Sequence, residues 1–423
     1  MPDFMTEDGR RAAPFFAAVL GGMALCAVVA VYMPRALSFL PGLIGLLAVM
    51  AWPFFTGGAR PWSRVALGVA GLAVAMAAVS ALWAIDSGDA LERAGKLAAV
   101  LLPGALIVGV AVAVPHERLA KFWWLIPGAV GIAAVLLNFE YMTDMVVFRA
   151  VRGIDAAAVV DRYELNRASV ALVLLMVPCV GVVYAHMRRA GHDLPMAWAR
   201  AGLYAALFVP MVSETESQTA QLVFIAGLLM LGVFPAWSRR AWQGLALLLA
   251  AGIMAAPFIA QYLFTLVPPP GTVPPEGLGM LFWESNAFAR LEIWDFVSRY
   301  AMQNPLIGFG IEATRMVPAF DSKEIYQPGL TVLHPHNGAL QVWIEFGVVG
   351  AVLAAAGAWM MLTRVVAGVA DVMGRRIAGA SFAGAVIVAL TSYGLWQGWW
   401  LGLIMLLVAV TVVAVRGLAR ESA

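Results

Sequence analysis

The sequence predicts an all-α polytopic membrane protein of about twelve transmembrane helices, with a large, partly helical outer loop between the ninth and tenth spans. Three observations predict it. Hydrophobic residues make up 62% of the 423 and charged residues only 12%, with a mean hydropathy of +0.85, outside the range of soluble domains. The apolar residues fall in runs of about 20, the length a helix needs to cross a bilayer core. The basic residues alternate from side to side along those runs, as the positive-inside bias requires.

Taken in order, the spans read roughly 14–33, 36–55, 65–85, 97–114, 119–139, 168–186, 196–212, 219–236, 241–266, 339–362, 377–395 and 399–415. The last two form a tight hairpin bearing the aromatic cluster Tyr393, Trp396, Trp399 and Trp400. With so little charge the whole chain, 1–423, reads as one integral membrane domain. Two long loops interrupt it, at about 140–167 and 267–338.

Orientation follows from charge. With the N-terminus inside, the inner segments hold Arg10, Arg11, Arg60, Arg64, Arg118, Lys121, Arg188, Arg189, Arg200, Arg239, Arg240, Arg364, Arg375, Arg376, Arg416 and Arg420, which is 16 of the 27 Lys and Arg. Short outer loops hold only Arg35, Arg93 and Lys96. Both termini are therefore expected to be cytoplasmic. The first eleven residues are acidic before they turn basic, unlike a signal peptide, so the first span is read as a retained helix. Cys26 and Cys179 lie inside spans and form no metal or redox pattern.

Long outer loops escape the positive-inside bias, so their cations need another explanation. Arg149, Arg152, Arg162 and Arg167 crowd the first loop, and Arg290, Arg299, Arg315 and Lys323 the second. A solvated basic surface against anionic head groups is one reading. The other is that both loops close over the segment between them, which carries two of the five histidines. Nothing points to nucleic acid as a partner.

The second loop has its own pattern. Pro268-Pro269-Pro270-Gly271 and Pro274-Pro275 break the ninth span. Ser285 or Asn286 can cap a helix from Ala287 to about Met302, with Phe288, Leu291, Trp294, Val297 and Ser298 on one broad face and Arg290, Trp294 and Ser298 at four-residue spacing. Such a helix is expected along the membrane surface. Leu306-Ile307-Gly308-Phe309-Gly310 then makes a turn, and a short helix carries Glu312 and Arg315.

The tenth span opens at His334-Pro335-His336-Asn337-Gly338-Ala339-Leu340-Gln341. Pro335 suits a helix start, with His334 next to the cap. Four-residue spacing puts Asn337, Gln341 and Glu345 in one polar column and His336, Leu340 and Ile344 on the adjacent stripe. An acid about 13 Å beyond His336 needs a partner or a wet cavity. A helix-packing hydrogen bond would satisfy it as well as a functional role would. An imidazole at the membrane surface can be an ordinary interfacial residue or the base of a reaction there.

These residues resemble the O-antigen ligase family and the closely related O-antigen polymerases. The resemblance is carried by Arg290-Leu291-Glu292-Ile293-Trp294, by Asn304-Pro305-Leu306-Ile307-Gly308-Phe309-Gly310, and by His336-Asn337-Gly338-Ala339-Leu340-Gln341 with Glu345-Phe346-Gly347. Ser80-Ala81-Leu82-Trp83 and Glu164-Leu165-Asn166-Arg167-Ala168 add to it. It covers residues 286–350 at the level of motif and the whole chain at the level of topology. One departure matters: family members often carry an arginine where this chain has Gln218, within Ser217-Gln218-Thr219-Ala220.

The resemblance implies a GT-C-like membrane glycosyltransferase in the bacterial inner membrane. It would transfer O-antigen polysaccharide from an undecaprenyl-diphosphate-linked donor to a sugar hydroxyl of a lipid A–core acceptor, at the periplasmic face and with membrane lipid around it. His336 would be the general base. Arg290, then Arg167 and Arg162, then Arg315 would stabilise the diphosphate leaving group without a cofactor or metal, and displacement would invert the anomeric carbon. His334, Asn337, Gln341, Glu345 and Gln218 would support them.

A metal route would fall to Asp86, Asp89 and Glu92, which lack the tight acidic pair hard cations prefer. O-antigen polymerase and protein O-oligosaccharyltransferase remain alternatives within the class. A lipid-linked sugar transporter is the alternative outside it, although no two-half repeat and no matched pair of broken helices is visible.

Overall fold

A computed structural model describes residues 7–155, 158–267, 287–317 and 333–418, with the side chains of 7–11 left aside. The Pro-rich crossing at 268–275, the candidate caps Ser285 and Asn286, and Lys323 and Arg420 lie outside the described residues. Thirteen longer helices organise the described residues: α1 Glu7–Tyr32, α2 Leu40–Thr56, α3 Arg64–Ser80, α4 Ser87–Ala113, α5 Leu125–Met142, α6 Asn166–Arg189, α7 Leu194–Ala206, α8 Gln218–Gly232, α9 Arg239–Phe264, α10 Ala287–Ala301, α11 Gly338–Met360, α12 Val372–Thr391 and α13 Gly398–Leu418. No strand occurs among the described residues. The protein is an all-α polytopic membrane protein.

Every predicted span falls on a helix. Eight described helices are long and apolar enough to cross a membrane, and α2, α3 and α8 are shorter apolar helices. The segment predicted at 196–212 divides into α7 and a short helix Val209–Glu214. Pro210 sits at the first turn of the second piece, where a proline starts a helix but cannot continue one.

α6 is the central post. Its residues from Ala168 to Gly181 are buried without interruption, as befits a helix apolar all round. α1, α5, α7, α8, α12 and α13 pack around it. A second group forms where α4 packs on α2, α3 and α13, and a third where α9 packs on α10 and α11.

α10 runs from Ala287 to Ala301, close to the predicted bounds, and buries Phe288, Val297 and Ser298 as the pattern required. It also buries Glu292 and Asp295, which the apolar face does not anticipate. Asp295 takes an ion pair from Arg299 at 2.8 Å. The partners of α10 are the chain's own helices α9 and α11.

The feature that shapes the site is a break in α11. Gly347 has φ +59° and ψ −153°, so the backbone leaves helical geometry there. The freed carbonyls of Ile344 and Glu345 accept from the N–H groups of Phe309 (2.8 Å) and Gly310 (2.9 Å). In return Val348 and Val349 donate to the carbonyls of Pro305 (2.7 Å) and Leu306 (3.3 Å). The 304–310 loop thus fills the gap in the helix ladder, which a membrane protein tolerates only where protein satisfies the exposed groups.

Gly308, at φ +67°, lies so close that a Cβ there would meet the Glu345 carbonyl carbon at 2.5 Å. The second strut comes from the chain's beginning. Ser80 Oγ accepts from the Ile311 N–H at 3.1 Å, Trp83 Nε1 donates to the Ile307 carbonyl at 3.1 Å, and the Ile85 N–H donates to the Phe309 carbonyl at 3.2 Å. The Ser80–Trp83 segment therefore clamps the loop that caps α11.

Candidate active site

The histidine segment is a turn, not the first turn of a helix. His336 has φ +52°, in the left-handed region, and α11 begins only at Gly338. The expectation that His336 shares a helical stripe with Leu340 and Ile344, with Pro335 opening the helix, is corrected accordingly. Asn337 is the cap. Its Oδ1 accepts from the N–H groups of Ala339 (3.0 Å) and Leu340 (3.2 Å), an arrangement that stabilises a helix start by about 1 kcal/mol. That geometry gives Asn337 a backbone task.

The turn is fastened from two sides. Trp294 of α10 donates through Nε1 to the Pro335 carbonyl at 2.9 Å, and His336 Nδ1 lies 2.5 Å from the Ser392 carbonyl. A carbonyl can only accept, so Nδ1 carries the proton. In the neutral ring Nε2 then holds the bare lone pair. Burial, with help from the Arg290 charge, lowers the His336 pKa below its ordinary 6.5, against the opposing Ser392 hydrogen bond.

Arg290 stands beside it. Its Nη1 donates to the Thr391 carbonyl at 3.0 Å, at the end of α12, and burial lowers its pKa. Tyr393, two residues on, is within electrostatic reach of both Arg167 and Arg290. Arg167 stacks over the Trp399 ring at 6.0 Å, and its buried Nε has no hydrogen-bond partner among the described residues. The structure thus gathers His336, Arg290 and Arg167 about the 391–393 turn. Gln218 is exposed at the start of α8, whose next residue, Thr219, meets Thr391 Oγ1 at 3.0 Å. No cation occupies the Gln218 position itself, and the nearby charge comes from α10 and α6.

Arg162 and Arg315 belong elsewhere. Arg162 pairs with Glu214 at 2.8 Å, both half-exposed. Arg315 pairs with Glu312, which also takes Arg93 at 2.7 Å. His334 faces this second group. Its ring lies 4.2 Å from that of His336, its Nε2 accepts from the Gln397 amide at 3.2 Å, and its buried Nδ1 has no partner among the described residues. Burial first, then the charges of His336 and Arg315, push its pKa down to about 3. His334 is consequently neutral at every physiological pH.

Gln341 and Glu345 form the predicted column but serve as rivets. Gln341 Oε1 accepts from the Leu395 N–H at 2.9 Å, and its amide donates to Glu345 Oε1 at 3.0 Å. Glu345, wholly buried, also accepts from the Glu312 N–H (3.2 Å) and Trp396 Nε1 (2.5 Å). One carboxylate thereby joins α11, the 308–312 loop and the 392–397 turn. Sequence reasoning misses Arg93, Ser392 and Tyr393. Arg93 is there a topological charge, Tyr393 one member of an aromatic cluster, and Ser392 an unremarked residue of the hairpin.

Among the described residues no group of three or more His, Cys, Asp or Glu could hold a metal ion. Asp86 caps α4 by accepting from the Asp89 N–H at 3.0 Å, and Glu92 pairs with Lys96.

Below the site an apolar groove of about 620 Å³ opens between α8, α9 and α12. Its walls include Met230, Leu249, Ile253, Ile387 and Leu390, and its upper end is Trp294, Asn337 and Thr391. The groove therefore runs through the bilayer-depth part of the fold and ends at the carbonyl that holds Arg290.

Comparisons with known proteins match the part of the chain that carries these elements. The O-antigen ligase family model matches residues 201–355, which contain the loop, the histidine turn and the broken helix. Curated relatives include proteins named "Putative polysaccharide ligase" from Rickettsia conorii (30% identical over 122 residues, 28% of this chain and 29% of the relative), Rickettsia bellii (30% over 137 residues, 31% and 33%) and Rickettsia felis (28% over 122 residues, 28% and 30%). The matched stretches thus span a third or less of those relatives. No solved structure matches the chain significantly. Through residues 201–355, the chain is similar to the O-antigen ligase family.

Proposed function

We propose that the protein is a glycosyltransferase of the bacterial inner membrane. It transfers O-antigen polysaccharide from undecaprenyl diphosphate to a sugar hydroxyl of lipid A–core at the periplasmic face, with both termini cytoplasmic. One observation carries the reading: His336 presents an unprotonated Nε2, fixed by the Ser392 carbonyl, directly beside Arg290 and at the head of an apolar groove.

The chemistry follows from that arrangement. The polyprenyl tail lies in the α8–α9–α12 groove, and the diphosphate meets Arg290 and Arg167. The acceptor hydroxyl attacks the anomeric carbon, and His336 Nε2 takes its proton. The anomeric C–O bond breaks with its electron pair moving to the diphosphate oxygen, and the configuration inverts. Two guanidinium groups can balance the roughly two negative charges of the diphosphate with forked hydrogen bonds. The free Nε of Arg167 is one donor available for that purpose. Arg162 and Arg315, each paired with an acid, are secondary.

The test is purified protein mixed with lipid-linked donor and either lipid A–core or a second lipid-linked repeat unit. Transfer to lipid A–core is expected, and growth of the repeat unit alone would mark a polymerase. His336→Asn is the informative variant, because asparagine tolerates the φ of +52° while lacking a base. It should insert normally and lose at least 100-fold in transfer rate. Arg290→Lys should recover only part of the activity, since lysine offers a point charge. Near-normal transfer by His336→Asn would overturn the mechanism.

A further inference from the structure

α12 is a thin wall with a groove on each side. Ala383, Ile387 and Leu390 face the groove described above, whereas Ser381, Ala385 and Ala389 face a second one of about 540 Å³. Phe382 and Val386 border both. The second groove is walled otherwise by the π-helical end of α11, Met361–Val366, and by α13 through Ile404, Leu407 and Val408.

Its upper end is Leu395 and Trp396. Trp396 also lines a polar recess with Arg93, Glu312, Arg315, His334 and Gln397. Among the described residues that line it, that recess has two guanidinium groups to one carboxylate, the Glu345 carboxylate lying buried behind them, so its lining presents a surplus cation. It also holds the Nδ1 of His334, which has no partner among the described residues. An apolar trough headed by a surplus cation and that polar nitrogen has the chemistry to seat an acyl lipid with an anionic, hydroxyl-bearing head group. The first groove ends at Asn337, the residue after His336, and the second at Trp396, which shares the polar recess with His334; the two histidine rings are 4.2 Å apart.

We propose that the second groove seats an acyl chain of the acceptor lipid, with the anionic head group against Arg93 and Arg315. Donor and acceptor then reach the histidine pair from opposite faces of α12. The proposal rests on the reading above that both substrates are membrane lipids.

Two substitutions on one helix separate the grooves. Ala385→Trp fills the second and Ala383→Trp the first, at nearly the same depth in the fold. With the protein in phosphatidylcholine nanodiscs, lipid A–core binding is measured without donor by native mass spectrometry. Transfer is then measured against the density of each lipid. Ala385→Trp should weaken lipid A–core binding and raise its half-saturating density at least tenfold, leaving the donor value within twofold. Ala383→Trp should do the reverse.

Val408→Trp, which enters the second groove from α13, repeats the test should Ala385→Trp fold poorly. Unchanged lipid A–core binding in both groove-filling variants would overturn the proposal. Equal displacement of lipid A–core by phosphatidylglycerol would do so too, since the groove would then be a seat for ordinary membrane lipid. A wild-type protein that binds lipid A–core through this groove but transfers nothing would refute the ligase reading and leave the groove standing.

Discussion

Replacing Glu345 tests whether the site is held together by a single carboxylate. All three of its partners are donors: the Gln341 amide, the Glu312 N–H and Trp396 Nε1. The orientation of Gln341 is fixed independently, because its oxygen is already taken by the Leu395 N–H. Glu345→Ala strands three donors in a position with no access to water. Each buried donor left unmade costs about 1–3 kcal/mol, so the loss is roughly 3–9 kcal/mol, a large part of the 5–15 kcal/mol that usually stabilises a fold. Glu345→Gln keeps the shape and the acceptor oxygen but turns an amide N–H₂ toward at least one donor, which costs roughly 1–3 kcal/mol. Thermal unfolding in detergent, followed by tryptophan fluorescence, should rank wild type above Gln above Ala. Transfer rate per folded molecule should fall far less in the glutamine variant than in His336→Asn, since Glu345 makes no contact with the His336 ring. An alanine variant as heat-stable as wild type would refute the rivet. A glutamine variant that is stable yet inactive would return Glu345 to the chemistry.

Three further outcomes are expected. Because burial and Arg290 hold the His336 pKa below 6.5, its neutral form works at neutral pH; the transfer rate should be flat there and fall as pH drops through a value under 6.5, and an acid limb at 7 or above would contradict the assignment. Gly308→Ala should destabilise by about 2–4 kcal/mol in thermal unfolding, from an L side chain at φ +67° plus loss of one or two of the hydrogen bonds that cap α11; a neutral result would show that the loop can shift away. Transfer should persist in excess EDTA, because Asp86 and Glu92 are engaged by the Asp89 N–H and Lys96 while arginines supply the charge; a chelator-sensitive reaction restored by one divalent ion would move these acids into the site.

What the sequence reveals depends on how local each cause is. Hydrophobic runs locate a helix for every predicted span, eight of them long and apolar enough to cross a membrane, since a helix in lipid satisfies its own backbone and needs only length and apolarity. The column Asn337–Gln341–Glu345 is visible from four-residue spacing alone, and so is α10. The break at Gly347 is not visible, because Glu-Phe-Gly is compatible with a continuous helix. It becomes necessary only when residues 305–310 insert their backbone beside it. The left-handed turn at His336 is hidden for a similar reason: Pro335 signals a helix start, while the tethers at Trp294 and Ser392 that postpone the start to Gly338 come from 41 and 56 residues away. Arg93, too, is a single charge in a short loop until the fold sets it against Glu312.

The broken helix bears on the choice between an enzyme and a carrier. Carriers often use paired discontinuous helices whose loosened ends bind the substrate and move relative to each other. Here the loosened ends of α11 are consumed by the 304–310 loop, with four backbone hydrogen bonds crossing the gap. The Ser80–Trp83 segment clamps that loop in turn, and Glu345 bolts it to the α12–α13 turn. Each of these bonds opposes the rocking a carrier needs, and Gln341 and Glu345 carry the bracing to Leu395 and Trp396, in the same turn whose Ser392 carbonyl holds His336. Catalysis by positioning and charge stabilisation asks for that rigidity, because donors fixed in advance need no reorganisation as negative charge develops on the leaving group. The same construction explains why the cations gather from α6 and α10 instead of the Gln218 position. A site built on a braced turn accepts its positive charge from any helix end that reaches it.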